Sequence, residues 1–262
     1  MLTYPQFDPN MISIGPLHLR WYGMMYVFGV ASGWLLGRYR ASKPWNNWTK
    51  PQMDDFITWA IVGVVAGGRL GYVFFYNAEY YLSEPLKIFA VWEGGMSFHG
   101  GLLGVILACL LFGRVSKKSL TEVGDFIAPL VPPGLFFGRL GNFINAELWG
   151  RYTDGPWGMI FPGAGTMPRH PSQLYEAALE GVVLFVLLWW YSSKPRPKGC
   201  VSGLFLLGYG VFRFIVEFAR QPDAQLGFVA LDWMSMGQIL CLPMIALGAF
   251  LIWRGYARER LA

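Results

Sequence analysis

Seven apolar runs, at residues 19–36, 56–75, 96–112, 120–137, 173–191, 201–218 and 234–253, occupy most of this 262-residue chain. That spacing leaves few folds open. At 1.5 Å per residue, a helix needs about 20 apolar residues to cross a ~30 Å hydrocarbon core, and in lipid every backbone polar group must be satisfied within the segment. Hydrophobic residues make up 54% of the chain and charged residues only 14%, against about 25% charged in a soluble domain. The 12 Trp and 13 Tyr suit rings settled at membrane interfaces. The reading is an all-α, polytopic membrane protein of about seven transmembrane helices, with residues 1–262 as one integral-membrane domain.

The connections alternate in charge. Arg38, Arg40, Lys43 and Lys50 follow the first run, Arg114, Lys117 and Lys118 the third, Lys194, Arg196 and Lys198 the fifth, and Arg254, Arg258 and Arg260 the last. The other connections hold Glu79, Glu84, Glu93, Asp154, Asp223 and Asp232 among fewer bases. The positive-inside bias therefore predicts the N-terminus outside and the C-terminus in the cytoplasm. The net charge of +5 is spread over these short loops, which argues against nucleic acid as a partner. Cys109, Cys200 and Cys241 lie in or beside apolar runs, as inert buried thiols do, and not in a disulfide framework. The first ten residues carry no Lys or Arg, so the first run reads as an uncleaved span. Residues 79–92 mix aromatic and aliphatic residues with Glu84 and Lys87, which predicts a helix along the outer interface. The Gly- and Pro-rich residues 151–171 read as a structured external loop.

The stretch GRLGNFINAELWGR, residues 138–151, sets Arg139, Asn142, Asn145, Glu147 and Arg151 where a span leaves the bilayer. Ionisable groups there are costly unless they face a wet cavity or the protein interior. Depth arithmetic brings further groups to the same outer level: Tyr22 opening span one, Arg69 in span two, His99 opening span three, and Arg213 in span six with Tyr209 and Glu217 one turn either side. Outside the cytoplasmic sets the bases are Arg20, Arg69, Arg139, Arg151, Arg169, Arg213 and Arg220 against Lys87 alone. Snorkelling would not favour Arg so strongly, whereas a phosphate would, because the guanidinium fork matches it.

Plainer readings stand beside these. The glycines around His99 in GGMSFHGGLLG also suit close helix packing, with the imidazole as a packing group or as a general base. His170 is the rival base, or a loop residue satisfied by hydrogen bonds. Glu147 with Arg151, and Arg213 with Glu217, have the spacing of simple helix pairs. Asp125 lies toward the cytoplasmic end of span four and reads as structural, and Pro129, Pro132 and Pro133 break or kink that span. No His, Cys or carboxylate grouping has metal-site spacing, and no Ser-His-Asp arrangement is evident.

GRLGNFINAELWG at 138–150 resembles the signature of the bacterial prolipoprotein diacylglyceryl transferases. GGMSFHGG around His99, RHPSQLYE around His170 and GYGVFRFIVEFARQPD around Arg213 resemble other blocks of that family in the same order. The resemblance implies transfer of the diacylglyceryl group of phosphatidylglycerol to the lipobox cysteine of a prolipoprotein signal peptide, at the outer face of the bacterial inner membrane, with release of glycerol 1-phosphate. It marks His99, Arg139 and Arg213 as catalytic. Tyr22, Asn142, Glu147 and Gly150 support them, and Arg69, Asn145, Tyr209 and Glu217 are further candidates for substrate contact. No metal or other cofactor is implied. A transporter or flippase for an anionic lipid is the rival class, disfavoured by the lack of paired half-length spans or a repeat; a scaffold of structural ion pairs leaves the arginines unexplained.

Overall fold

Capping side chains decide where the helices starting at Lys50, Phe98 and Met236 begin. The computed structural model describes residues 2–15, 17–222 and 227–260; Asp223 lies outside them. Helix α1 covers Trp21–Ala41 and α2 covers Lys50–Tyr76. α2 starts ahead of its apolar run because Thr49 and Gln52 form a reciprocal capping box and Pro51 sits in the first turn. Helix α3 (Ala78–Ser83) is followed by two 3-10 turns, Pro85–Phe89 and Val91–Glu93. The continuous interfacial helix expected near 79–92 is thus corrected: Pro85 lacks the N–H that would carry α3 onward.

Helix α4 (Phe98–Val115) is capped by the Ser97 side chain. The fourth run is divided into α5 (Leu120–Ile127), a 3-10 turn (Ala128–Leu130) and α6 (Val131–Ile144), with the break at Pro129. α6 runs past Arg139, so Asn142 lies inside the helix and not beyond its end. Helix α7 (Ser172–Tyr191) holds a π-helical stretch at Ala177–Val183. Helices α8 (Cys200–Val216) and α9 (Met236–Glu259) follow, the latter with a Ser235–Gln238 capping box.

The protein is mostly helical, with about two thirds of its residues in helices. The all-α expectation needs one correction: antiparallel pairs β1 (Asn10–Ile14) with β2 (Leu17–Arg20), and β3 (Phe228–Ala230) with β4 (Met234–Ser235). Leu19 and Arg20, expected to open span one, are in β2. Among the described residues, four helices are long and apolar enough to cross a membrane: α2, α4, α7 and α9. α8 is apolar but shorter, and α5 and α6 are short because of the prolines.

The chain forms two compact units, Gly37–Gly124 and Met1–Leu36 with Asp125–Ala262. In the first, α2 and α4 meet along a glycine seam. A Cβ on Gly63 would sit 2.6 Å from the Gly104 carbonyl oxygen, and one on Gly67 would sit 2.8 Å from the Gly104 Cα. Close backbone approach and its dispersion contacts hold the two helices along this seam, so these positions tolerate no methyl group. Trp48 stacks on Phe112 at 5.3 Å, and Phe56 meets the same ring edge-on.

In the second unit, Ala128, Leu184, Leu188 and Val201 form a buried core. Asp125 is structural, as its position suggested: it accepts from the backbone N–H of Gly199 (2.6 Å) and Ser202 (2.8 Å) and from the Ser202 hydroxyl (2.7 Å), closing the start of α8. Residues 151–171 contain no helix or strand, only single bridges such as Tyr152 with Arg169, yet Phe161 is fully buried with Tyr4, Phe143 and Met159. The Tyr4 hydroxyl donates to the carbonyls of Phe143 (2.7 Å) and Ile144 (3.0 Å). The loop is therefore fastened to the C-terminal end of α6, beside the polar residues of that helix.

Candidate active site

One carboxylate oxygen organises the polar core of the second unit. Glu176 Oε2, on α7, pairs with Arg139 Nε of α6 at 2.6 Å and accepts from Arg213 Nη1 of α8 at 2.7 Å. Its side chain has no exposed surface, while Arg139 keeps 19% and Arg213 11%. Glu180, one turn along α7 and equally buried, lies 4.0 Å from Arg139 Nη2 and 3.7 Å from Arg213 Nη1. Glu217 Oε2 lies 3.2 Å from Arg213 Nη2 and 3.9 Å from Arg220 Nη1. Glu217 Oε1 accepts from the Ser235 hydroxyl at 3.0 Å. Two positive charges ~5 Å apart repel by about 3 kcal/mol at an effective dielectric of 20. The shared carboxylate lets the two guanidiniums stand together in a buried place.

The end of α6 adds a second line of contacts. Arg139 Nη1 reaches Asn142 Oδ1 at 3.4 Å, and Asn142 Nδ2 donates to Glu147 Oε1 at 2.7 Å. Gln173 Nε2 donates to the Glu147 carbonyl at 2.6 Å. Glu147 is aimed by a turn in which Ala146 (φ 52°) and Leu148 (φ 57°) both adopt left-handed backbone. Such strain in non-glycine residues persists only where the surroundings enforce it, and it gathers at functional sites. The Tyr22 ring packs where a Cβ on Gly141 would be 3.1 Å away, within electrostatic reach of Glu147. Tyr209 stacks on Phe205 beside the arginine–glutamate cluster. Asn145 stands apart, exposed at the C-cap of α6.

Gly150 is a close-approach glycine. A Cβ there would lie 2.7 Å from His170 Cβ and would collide with the Ala219 carbonyl. Its N–H donates to the His170 carbonyl at 2.9 Å, and the Arg151 N–H donates to that of Ala219 at 2.8 Å. Arg151 Nε and Nη2 donate to the carbonyls of Arg220 (2.8 Å) and Glu217 (3.1 Å), not to Glu147 as the i,i+4 spacing suggested. Arg169, buried, donates to the Gly150 carbonyl at 3.1 Å.

The rival histidine is already engaged. His170 Nδ1 accepts from Trp157 Nε1 at 3.3 Å and lies 3.1 Å from the Tyr175 hydroxyl, an assignment that puts the ring proton on Nε2. Burial, and then the Arg151 charge, hold its pKa below the usual 6.5. A base depressed in the folded state stabilises the fold fully above 6.5 and loses that contribution as pH falls through the folded pKa. An NMR titration is expected to show a His170 midpoint below 6.5. Arg151→Gln, which removes the neighbouring positive charge, should move it upward; an unchanged midpoint would leave burial as the cause.

Arg69 and His99 belong to the other unit. Arg69 is buried, and its three nitrogens donate to the carbonyls of Lys87, Ile88, Gly94 and Gly95, with its guanidinium 5.1 Å from the Tyr81 ring centroid. Its nitrogens thus all donate to backbone carbonyls of residues 87–95. The same segment continues through Ser97, whose N–H donates to the Gly68 carbonyl at 2.9 Å, to His99 in the first turn of α4. The His99 ring is exposed and meets Phe98 edge-on at 5.6 Å.

Sequence reasoning singled out neither Glu176 nor Glu180. Two glutamates four residues apart inside an apolar run were the available signal, since buried ionisable groups at membrane depth mark sites as arginines do. Gln173 and Ser235 carried no signal of their own.

Two arginines from different helices thus meet on one buried carboxylate, in a chain whose helices include several long and apolar enough to cross a membrane. Comparison with known proteins narrows the class: residues 9–254 match the prolipoprotein diacylglyceryl transferase model, and the chain belongs to that family. It is 62% identical over 252 residues to the phosphatidylglycerol–prolipoprotein diacylglyceryl transferase of Nitratidesulfovibrio vulgaris (strain DP4), covering 96% of each chain. The proteins of the same name from Oleidesulfovibrio alaskensis (61% identical; 100% of this chain, 98% of that one) and Pseudomonas aeruginosa strain LESB58 (57%; 99% and 97%) are similar over nearly their whole lengths.

Proposed function

We propose that this protein is the enzyme that moves the diacylglyceryl group of phosphatidylglycerol onto the lipobox cysteine of prolipoprotein signal peptides. The observation that carries this reading is the pair Arg139 and Arg213, gathered on one Glu176 oxygen in a chain of this family. The thiol sulfur forms a thioether bond to the glyceryl carbon, and the bond from that carbon to the phosphate oxygen breaks. The electron pair leaves on glycerol 1-phosphate, and the thiol proton goes to a base. Negative charge grows on the departing phosphate oxygen, so fixed guanidiniums in a poorly solvated place are the suited catalysts.

A thiol of pKa near 8.5 attacks as thiolate. His99 is the base in this scheme, with His170 held in its loop by Trp157 and Tyr175. Asn142 and Glu147 orient Arg139, Tyr22 lines the same wall, and Tyr209 and Glu217 bound Arg213. Arg69 and Gly150 act by holding backbone: Arg69 fixes the segment leading to His99, and Gly150 lets three chain segments meet. Asn145 is the candidate for direct contact with the lipid headgroup at the rim.

The chain crosses the bacterial inner membrane about seven times, with α1 and the α5–α6 pair adding to the longer helices. The N-terminus and residues 151–171 are outside and the C-terminus is cytoplasmic, a reading supported by the alternating basic loops. Reporters fused after Lys118 or Lys198 should read cytoplasmic, and one within 153–166 external; any inversion would move the site to the wrong face. The direct test is mass spectrometry of a lipobox peptide incubated with phosphatidylglycerol and the purified protein. A diacylglyceryl adduct is expected, and its absence from an active-site-intact, folded preparation would overturn the function.

A further inference from the structure

We propose that Glu176 is a positioning residue for this reaction: one of its carboxylate oxygens holds the Arg139 and Arg213 guanidiniums close enough to grip a single phosphate. The inference rests on the clamp proposed above and concerns what keeps it assembled. Ordinary structural arginine–carboxylate pairs favour fork-to-fork contact, each oxygen meeting its own N–H. Glu176 does not do this. Oε2 takes both arginines, at 2.6 and 2.7 Å, while Oε1 is buried with no hydrogen-bond partner among the described residues.

The bridge also governs which edges of the guanidiniums remain. Arg139 is held by Nε, so among the described residues its terminal edge meets Asn142 at 3.4 Å and Glu180 at 4.0 Å. That edge, on the more exposed of the two arginines, is the donor pair turned to a phosphate. Arg213 is held by Nη1 on Glu176 and by Nη2 near Glu217, which fixes it from two sides. Three helices, α6, α7 and α8, are tied together at that single oxygen. The π-helical stretch of α7 begins at Ala177, immediately after Glu176, and such turns recur at functional sites.

The test uses the full-length protein with phosphatidylglycerol and a lipobox peptide. Glu176→Gln keeps the shape and removes the charge, and should lower kcat by about 10²-fold, the scale of a misplaced transition-state donor, with a smaller change in KM. Glu176→Asp keeps the charge but is one methylene short, and should fall between that variant and wild type. In an Arg139→Gln background Glu176→Gln should cost less than it does in the wild type, because only Arg213 is left for it to position. A wild-type kcat for Glu176→Gln would overturn the proposal, as would losses that multiply in the double variant. If the Gln protein does not fold, the Asp protein decides by the same kcat criterion. Failure of the functional reading looks different, since wild-type protein would then form no adduct.

Discussion

Arg139→Gln is expected to lower diacylglyceryl transfer by about 10²-fold or more, the usual consequence of removing one donor aimed at transition-state charge. Arg213→Gln should do at least as much, and for two reasons. Arg213 faces Glu176, Glu180 and Glu217 together. Removing it leaves three buried carboxylates short of a counter-charge, and breaking a buried pair in this way destabilises by about 3–5 kcal/mol. Thermal stability should rank the two variants: both lose a partner of buried Glu176, and Arg213→Gln, which also faces Glu217, unfolds at the lower temperature. Lys at either position should restore only part of the rate. One ammonium lacks the planar fork that meets Glu176 on one edge and a phosphate on another. If both Gln proteins remain folded and turn over at near wild-type rates, the clamp is wrong.

His99→Gln is expected to remove most activity while leaving phosphatidylglycerol binding nearly intact, because the arginines hold the headgroup and the imidazole takes the thiol proton. The ring is exposed at the first turn of α4, and the Gly94–Gly95 approach to it is fixed from behind by Arg69. Loss of lipid binding in step with turnover would make His99 a headgroup ligand or a packing group. Surviving turnover would mean that the arginine field alone lowers the thiol pKa. Equal losses from His170→Gln would reopen the choice of base, but the Trp157 and Tyr175 contacts on Nδ1 argue for a smaller effect there.

Much of this architecture is written in local pattern. The apolar runs mark the helices, and Thr49 with Gln52 and Ser235 with Gln238 mark two of their starts, because hydropathy and capping depend on residues near in sequence. The split at Pro129 was legible for the same reason, and so was the structural character of Asp125. The short hairpin β1–β2 was not, because pairs of four or five residues carry too little alternation to stand out against an adjoining apolar run. Residues 79–92 suggested an interfacial helix by their mix of aromatic, aliphatic and charged residues, but Pro85 ends α3 and turns the chain.

The candidate site divides along the same line. Sequence alone brought Arg139, Asn142, Glu147 and Arg213 forward, because charged and amide side chains at the edge of apolar runs are costly wherever they fall and so announce themselves. What each of them touches is a matter of tertiary structure. Arg69 looked like the others but is enclosed by four carbonyls, and Gly150 is required by a crossing of segments far apart in the chain. Glu176 gains its place only when α6, α7 and α8 pack, since a carboxylate becomes a bridge between two arginines through distances set in space and not by any spacing along the chain.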